Sequence, residues 1–521
     1  MWFGLYVLIR PVDRKEFEGR TFPHAYDVLV YQEGGHYYAK DRNGSVICTD
    51  SPSACIQEAV QWIKANGGGR ILIKRGEYNV HQTIDLGQGD LKLKIEGEDM
   101  WSTILTTALD IDVFRAVAVG PNAGVRLMSI ENLTIRGNGQ GRGLVLGATQ
   151  RDVLQYAALI TIRRVFFDSL KQAVYANNLW ISKIEDVIVN GGVPGGPPLI
   201  QLDENGVDTS HDIYITRLYS EGINSIPISM PARSYYIVVD QAFIDGQNNV
   251  DYLIYMDPMS MFNVVKYSYL AGAKSYAIYA SPGSKIIGNL IWYSNNGIYS
   301  IGSIIIGNTI TDLINIAVYI KDSLSETVVG GNSIQFANIG VYSVGNRAII
   351  KGNRLYSIKS QAIWVYYYGG NIIEGNVIHQ AQTSGGAAII EIEGQYHLIK
   401  GNFIESDYGQ YAIFEGDGNN NIIVNNIVFK PMSIRWVGPN TIVRNNAGFV
   451  TTKSGTETIR AGTTSVTVSH GMSCMPKMVL VTPLAQHSGS IWVSEIASTT
   501  FTINTSTAPS IDLPVAWYAE C

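Results

Sequence analysis

Ile287-Gly288-Asn289-Leu290-Ile291 returns as Ile306-Gly307-Asn308-Thr309-Ile310. It returns again as Gly331-Asn332-Ser333-Ile334, Gly352-Asn353-Arg354-Leu355, Gly375-Asn376-Val377-Ile378 and Gly401-Asn402-Phe403-Ile404, with weaker copies at Asn425-Asn426-Ile427 and Asn445-Asn446-Ala447. The asparagines at 289, 308, 332, 353, 376, 402, 426 and 446 stand 19 to 26 residues apart. A second phrase runs out of step with the first: Ala277-Ile278-Tyr279, Gly297-Ile298-Tyr299, Ala317-Val318-Tyr319, Gly340-Val341-Tyr342, Ala362-Ile363-Trp364 and Ala412-Ile413-Phe414. Each repeat therefore reads as two short β-branched strands and two Gly/Asn/Ser turns, with no room for a helix. A unit of that kind buries its inward side chains only against its neighbours, which predicts a β-solenoid. Gly and Asn tolerate the left-handed backbone, and stacked amides can bond along the axis, so the asparagines are expected to form a structural ladder.

The register persists upstream with less regular letters, through Ile130-Glu131-Asn132-Leu133, Ile162–Phe167, Ile184–Val189, Ile213–Leu218, Val238–Ile244 and Asn263–Leu270. Fourteen to sixteen rungs, at about 4.8 Å each, give a rod of roughly 65–75 Å. Composition agrees. Of 521 residues, 46% are hydrophobic and 16% charged, with 53 Gly, 30 Tyr and 17 Pro. That pattern favours short strands and tight turns over helices. The 38 basic and 44 acidic residues give a net charge of −6, which argues against a nucleic-acid partner. No stretch reaches the roughly 18 apolar residues of a membrane span, so no membrane insertion is expected.

Before the rungs, Ser53 or Asp50 can cap a helix over 54–65, with Ile56, Ala59, Val60 and Ile63 on one face and Gly67 ending it. This helix would close the open end of the coil. The helix, then GGGRILIKRGEYNV (67–80), Ile95-Glu96-Gly97 and Ser102-Thr103-Ile104-Leu105 resemble the start of pectin-lyase-like right-handed parallel β-helices. That superfamily includes pectate lyases, polygalacturonases and viral tailspike depolymerases. The resemblance covers about 50–450. It implies an all-β fold and is much more specific for fold than for activity.

Residues 1–49 read as an N-terminal arm, with Trp2–Ile9 a strand or packing segment, and a small β-meander head at Tyr26–Tyr31, His36–Lys40 and Ser45–Thr49. The head is similar to those of β-helical surface proteins of archaea and their viruses. After Val450, Thr451–Thr458 reads as a polar linker. The strands Thr464–Ser469, Lys477–Thr482, Ser490–Ile496, Thr500–Asn504 and Leu513–Ala519 then suggest a β-sandwich over 451–521. The run resembles the C-terminal domains of phage tail fibres and tailspikes, which implies trimerisation or glycan binding. Cys48, Cys55, Cys474 and Cys521 fall two near each end, either as two local disulfides or as buried thiols.

Two acidic groups stand out as candidate catalytic residues. The loop 190–212 holds Asp203, Glu204 and Asp208, with His211 and Asp212 beside them. Asn205-Gly206-Val207-Asp208 resembles the acidic signature of polygalacturonases. It has Asn205 where that family has Asp, and the family's Gly-His-Gly and Arg-Ile-Lys motifs are absent. The alternative is a solvated loop. The second group is Glu391, Glu393, Glu415 and Asp417, with Glu405 and Asp407 near in register. Aligning Ala388 with Ala412 stacks Glu391 on Glu415 and Glu393 on Asp417. Carboxylates that close raise a pKa, as a general acid needs, and two acids are the equipment of glycoside hydrolysis. The alternative is a solvated acidic patch.

If Ile278, Ile298, Val318, Val341 and Ile363 point inward, then Tyr279, Tyr299, Tyr319, Tyr342 and Trp364 form one outward column, with Tyr366, Tyr367 and Tyr368 next to it. An aromatic stripe on a soluble rod contacts either another copy or the faces of sugar rings. The histidines show no metal-ligand spacing, and no nucleotide or redox cofactor is expected; calcium enters only if the chemistry is a lyase elimination. The sequence reading is a spike or fibre displayed on a virion surface or extracellularly, homotrimeric, that binds cell-surface polysaccharide during host attachment, with cleavage as an added activity. A stand-alone secreted polysaccharide lyase or glycoside hydrolase and a non-enzymatic adhesin are the alternatives.

Overall fold

The computed structural model describes residues 26–521, apart from 232, 322–325, 367–368, 380–387, 408–410, 430–432, 437 and 439. The proposed arm at Trp2–Ile9, and Tyr367 and Tyr368, lie outside the described residues. The chain from Gly69 to Arg444 is a right-handed parallel β-helix: each coil lays its strands on those of the coil before, residue over residue. Along one face, fifteen strands run in parallel register from Ile84–Asp85 to Ser433–Arg435.

Each regular coil carries three strands, not two. The coil Lys285–Ile287, Leu290–Trp292 and Asn296–Ser300 shows why. Gly288-Asn289 splits what reads as one strand into two, because Gly288 turns the chain at φ 64°. The equivalent glycines 307, 331, 352, 375 and 401 sit at φ 61–67°. Upstream the same corner is held by Asp186, Arg217, Gln241 and Tyr267 at φ 52–55°, and downstream by Asn425 and Asn445 at 57° and 55°.

The asparagine after each corner is buried and points inward. Asn289 Nδ2 donates to Asn308 Oδ1 at 3.0 Å, and the chain of amides runs on through Asn332, Asn353, Asn376, Asn402, Asn426 and Asn446 at 2.9–3.0 Å. Each amide also donates to the carbonyl of the strand before its corner in the previous coil, as Asn353 does to Val329 at 2.9 Å. The ladder thus satisfies polar groups that the tight corner would otherwise bury unpaired. Inside it, Ile286, Ile305, Val329, Ile350, Ile373, Ile399 and Ile423 stack in one fully buried row.

At the N-terminal end, the helix Ile56–Ala65 buries Ile56, Ala59, Val60 and Ile63. It begins two residues later than expected, since Ala54 and Cys55 take left-handed conformations. Ser53 Oγ accepts from the Gln57 amide at 3.2 Å, whereas Asp50 is no cap: it accepts from the Tyr37 amide and pairs with His36. The head strands Val28–Glu33, His36–Asp41 and Val46–Thr49 form an antiparallel meander, and Val28–Val30 also pairs in parallel with Ile71–Ile73. The head sheet is therefore continuous with the first coil.

At the other end two three-stranded antiparallel sheets share a core of Ile459, Val468, Phe501, Ile503, Val515 and Trp517. The expected linker Thr451–Thr458 is instead the strand Thr452–Ile459, an edge strand paired with Leu513–Glu520. Its run of Thr, Ser and Glu is polar because mostly Ile459 faces the core. Cys48 is bonded to Cys55 and Cys474 to Cys521, with Cα atoms 5.6 and 5.9 Å apart.

Candidate functional site

The third strand of each coil places one side chain per coil in a single outward column. From Tyr255 the column runs Tyr279, Tyr299, Tyr319, Tyr342, Trp364, Glu391, Phe414 and Arg435. Ile278, Ile298, Val318, Val341 and Ile363 lie fully buried beneath it. Alternation along a β-strand dictates this division of inside and outside.

The rings do not present their faces uniformly. Tyr279 and Tyr299 stack at 4.4 Å and 11°, and Tyr299 and Tyr319 at 5.0 Å and 11°. Their faces cover one another, leaving edges and hydroxyls to solvent. Burial, reinforced by neighbouring phenols, pushes the Tyr276 hydroxyl beside them up to about 12 and holds the Tyr279 hydroxyl higher than usual. The stack breaks at Tyr342, which meets Tyr319 at 67° and Trp364 at 37°. Trp364 Nε1 is buried and has no hydrogen-bond partner among the described residues, and Tyr366 sits edge-on to its ring at 75°.

Acids begin where the stack breaks. Glu391 follows Trp364 in register and accepts from Gln361 Nε2 at 2.8 Å. Glu393, two residues on, lies half-buried over Gly416, where a Cβ would fall 3.2 Å from its Cγ. Burial first, then the charges of Glu391 and Asp417, raises the Glu393 carboxyl above the usual carboxylate range. Among the described residues, none of these three carboxylates joins an ion pair. Arg435 closes the column, its guanidinium 5.3 Å from the Phe414 ring and 5.8 Å from that of Tyr411.

Glu415 is not on this surface. Ala388 pairs with Tyr411 rather than Ala412, so Glu391 lies over Phe414, and Glu415 lies over the inward Ile392. A shift of one residue moves every side chain to the opposite face. The register then jumps between Ile392 and Gly394. Glu415 is fully buried, accepting from Asn421 Nδ2 and Thr441 Oγ1 at 2.6 Å and from the Gly438 amide at 2.9 Å. The expected stack of Glu391 on Glu415 is thereby corrected, while Glu393 and Asp417 remain neighbours.

The upstream acids tie down their own loop. Asp203 accepts from Gln201 Nε2 at 3.1 Å and the Glu204 amide at 2.9 Å, Glu204 from the Gly206 amide at 2.5 Å, and Asp208 from the Thr209 amide at 2.8 Å. Asn205 is buried and donates to the carbonyls of Gln150 and Val153. Asp203 shares the column's face, but eight coils, roughly 38 Å, separate it from Glu391. The two acidic groups form no common site. Among the described residues no three or more His, Cys, Asp or Glu side chains could hold a metal ion, and no helix is long and apolar enough to cross a membrane.

Phe414, Tyr411, Arg435 and Gln361 belong to the site but not to the sequence expectation. Phe414 was legible, because it ends a copy of the second phrase. Gln361 and Arg435 carry no signal of their own and join the site only through register.

Beneath the acids, His397 occupies the inner ladder of another corner, between Asn371 and Asn421. Its Nδ1 accepts from the Asn371 amide at 3.3 Å, and its Nε2 donates to the Glu393 carbonyl at 2.9 Å. Burial lowers its pKa, although the Glu393 carbonyl and the Glu415 charge pull the other way. The folded state therefore binds fewer protons than the unfolded chain, so stability is full above about pH 6.5 and is lost as pH falls below it toward the folded value. Urea midpoints measured from pH 7.5 to 5 should decline more for the parent than for His397→Asn, which keeps a ladder residue and removes the titration.

No protein-family profile and no curated protein matches the chain. Among solved structures it is similar to a tailspike protein of E. coli bacteriophage HK620 in complex with a pentasaccharide, at 12% identity over 92% of each chain and a TM-score of 0.50. It is also similar to the tailspike gp61 of Pseudomonas phage phi297, at 10% identity over 89% of this chain and 91% of that one, TM-score 0.46. A third likeness is to the A-module of the Azotobacter vinelandii mannuronan C-5 epimerase AlgE6, at 16% identity over 76% and 94%, TM-score 0.37. At these identities the likeness is one of fold.

Proposed function

We propose that this chain is a spike or fibre protein of a virion or other extracellular surface that binds cell-surface polysaccharide at the Tyr342–Trp364–Glu391–Glu393–Asp417 junction. The observation that carries this reading is that the aromatic column ceases to cover its own ring faces at the point where carboxylates begin that join no ion pair among the described residues. Open aromatic faces suit the C–H faces of sugar rings, and carboxylates accept from sugar hydroxyls. The likeness in fold to a pentasaccharide-bound tailspike supports it. Neighbouring positions on one strand and the next lie about 5–7 Å apart, a separation within reach of the carboxyl pairs of glycosidases. Glu393, its carboxyl raised above the usual carboxylate range by burial and by the charges of Glu391 and Asp417, is the general acid in a cleaving version of this reading. Incubation with host envelope polysaccharide should retain the glycan. A rise in reducing ends marks hydrolysis and absorbance of unsaturated products marks elimination. Loss of reducing ends in Glu393→Gln with binding kept supports cleavage, and a chain that retains no glycan defeats the reading.

Homotrimeric assembly belongs to the same proposal. The strands before each Gly-Asn corner carry an outward aliphatic column, Ile304, Val328, Ile349, Ile372, Leu398, Ile422 and Ile442, on a different face from the aromatic one. Ile422 and Ile442 are 38% and 44% exposed. A straight apolar stripe several coils long matches another rod better than a globular partner. Light scattering should give a three-chain mass for the parent and a one-chain mass for Ile349→Asp; a monomeric parent removes the assembly.

A further inference from the structure

A second corner column, between the second and third strands of each coil, passes through Gly272, Tyr293, Asp312, Phe336 and Ser357, all left-handed at φ 46–72°. Bulky aromatic residues rarely take that conformation, which costs free energy that something else must offset. At two other corners the offset is packing. Phe262 and Tyr267 are also left-handed, and each lies flat over a glycine of the next coil, Gly283 or Gly288, where a Cβ would fall 2.8–2.9 Å from the ring. Tyr293 and Phe336 have no glycine seat, because the next corner residues are Asp312 and Ser357; Phe336 meets only the edge of Tyr356, at 6.0 Å and 88°. Tyr293 and Phe336 stand 59% and 44% exposed.

Their surroundings are those of a polar ligand with flat apolar faces. Trp292, 41% exposed, precedes Tyr293, with ring centroids 5.7 Å apart at 42°. Trp292, Thr311 and Gln335 follow one another in register on the second face, and the corner rings Tyr293 and Phe336 flank the polar coil of Thr311 and Asp312 on both sides. Asp312 Oδ2 accepts from Trp292 Nε1 and Thr311 Oγ1, each at 3.0 Å. Its Oδ1, and the Oε1 of Gln335, have no partner among the described residues and remain as acceptors. Tyr293 and Phe336 are two coils apart, about 10 Å, which suits the first and third rings of a hexose trisaccharide, with the middle ring over the polar coil.

We infer that Trp292, Tyr293, Asp312 and Phe336 form a second glycan site, for a neutral hexose oligosaccharide, on a different face from the Trp364 junction and independent of it. Asp312 is the one charged side chain in the set, so a polyanionic sugar finds no cation there. The strain makes the test sharp. Glycine at a left-handed corner removes the ring and relieves the backbone together. Calorimetric titration of Trp364→Ala protein with cellohexaose, laminarihexaose, maltohexaose and chitohexaose should show binding of at least one. The further changes Tyr293→Gly and Phe336→Gly should weaken that binding at least tenfold, with Tm unchanged or raised. The inference is overturned if none of the four binds Trp364→Ala protein, if the glycine variants bind as before, or if their Tm falls, which would make the rings packing elements. Failure of the Trp364 proposal reads differently: Trp364→Ala would then bind every glycan as the parent does.

Discussion

Asn353→Asp is expected to destabilise the chain by about 3–5 kcal/mol at neutral pH, the range for stranding a charge in a protein interior. Asn353 is 1% exposed, and every polar atom of its amide is used. Its Oδ1 accepts from the Asn332 amide and Nδ2 at 3.0 and 2.9 Å, and its Nδ2 donates to Val329 O and Asn376 Oδ1, both at 2.9 Å. Aspartate keeps the first pair but turns an acceptor toward two acceptors. It either carries a buried charge against them or takes up a proton to restore a donor. Its folded pKa therefore rises above the unfolded value of about 3.9, the folded state holds the extra proton, and stability declines as pH rises from about 4 to 7. Asn353→Ala should cost less, about 2–3 kcal/mol for the unpaired neighbours, without that pH dependence. Urea midpoints of the two variants at pH 4.5 and 7.5 check the argument. Equal, pH-independent losses would mean the ladder is held by the backbone corner alone.

The ladder was legible because Gly and Asn are the residues that one corner demands, and a coil repeats the demand. Where other contacts met the same demand, the letters changed and the repeat faded. Arg217 takes the left-handed corner while pairing with Asp186 of the coil before, and Tyr267 takes it by lying over Gly288. The three-strand coil was not legible, since a Gly-Asn corner interrupts a strand without interrupting its apolar letters. The strand Thr452–Ile459 was hidden for a different reason: an edge strand facing solvent has the composition of a linker.

The candidate site was legible in its members more than in its geometry. Glu391, Glu393, Glu415 and Asp417 look equivalent in AIIEIEG and AIFEGDG, but a one-residue register difference sends Glu415 into the core. The donors from Asn421, Thr441 and Gly438 come from beyond its own strand. Similarly, the letters Tyr279, Tyr299 and Tyr319 give a column but not its ring planes. Face-to-face stacking withdraws from solvent the surfaces that a sugar needs, so a longer aromatic ladder is not a longer platform.

That distinction sets the last expectation. Trp364→Ala should weaken polysaccharide binding by about ten- to a hundredfold, as the loss of one well-placed aromatic anchor does, whereas Tyr299→Ala should change it by no more than about threefold. Trp364 stands where the stack opens, with Glu391 next in line. Tyr299 is covered on both faces by Tyr279 and Tyr319. Stability should rank them the other way. Removing Tyr299 strips two face-to-face stacks, worth about 0.5–1.5 kcal/mol each, and an edge contact with Tyr276, while Trp364 has no face-to-face stack, only a tilted neighbour in Tyr342 at 4.7 Å and an edge-on one in Tyr366 at 5.9 Å. Binding isotherms and thermal midpoints for the two variants give a crossed pattern if the column divides into a structural ladder and a binding end. Parallel losses in both measurements would make the whole column a packing feature, and equal losses of affinity would make all of it a platform. Trp364→Phe completes the series: the indole N–H is buried, so a smaller ring that keeps an open face should recover most of the affinity, and recovery of little would argue against the open face as the binding surface.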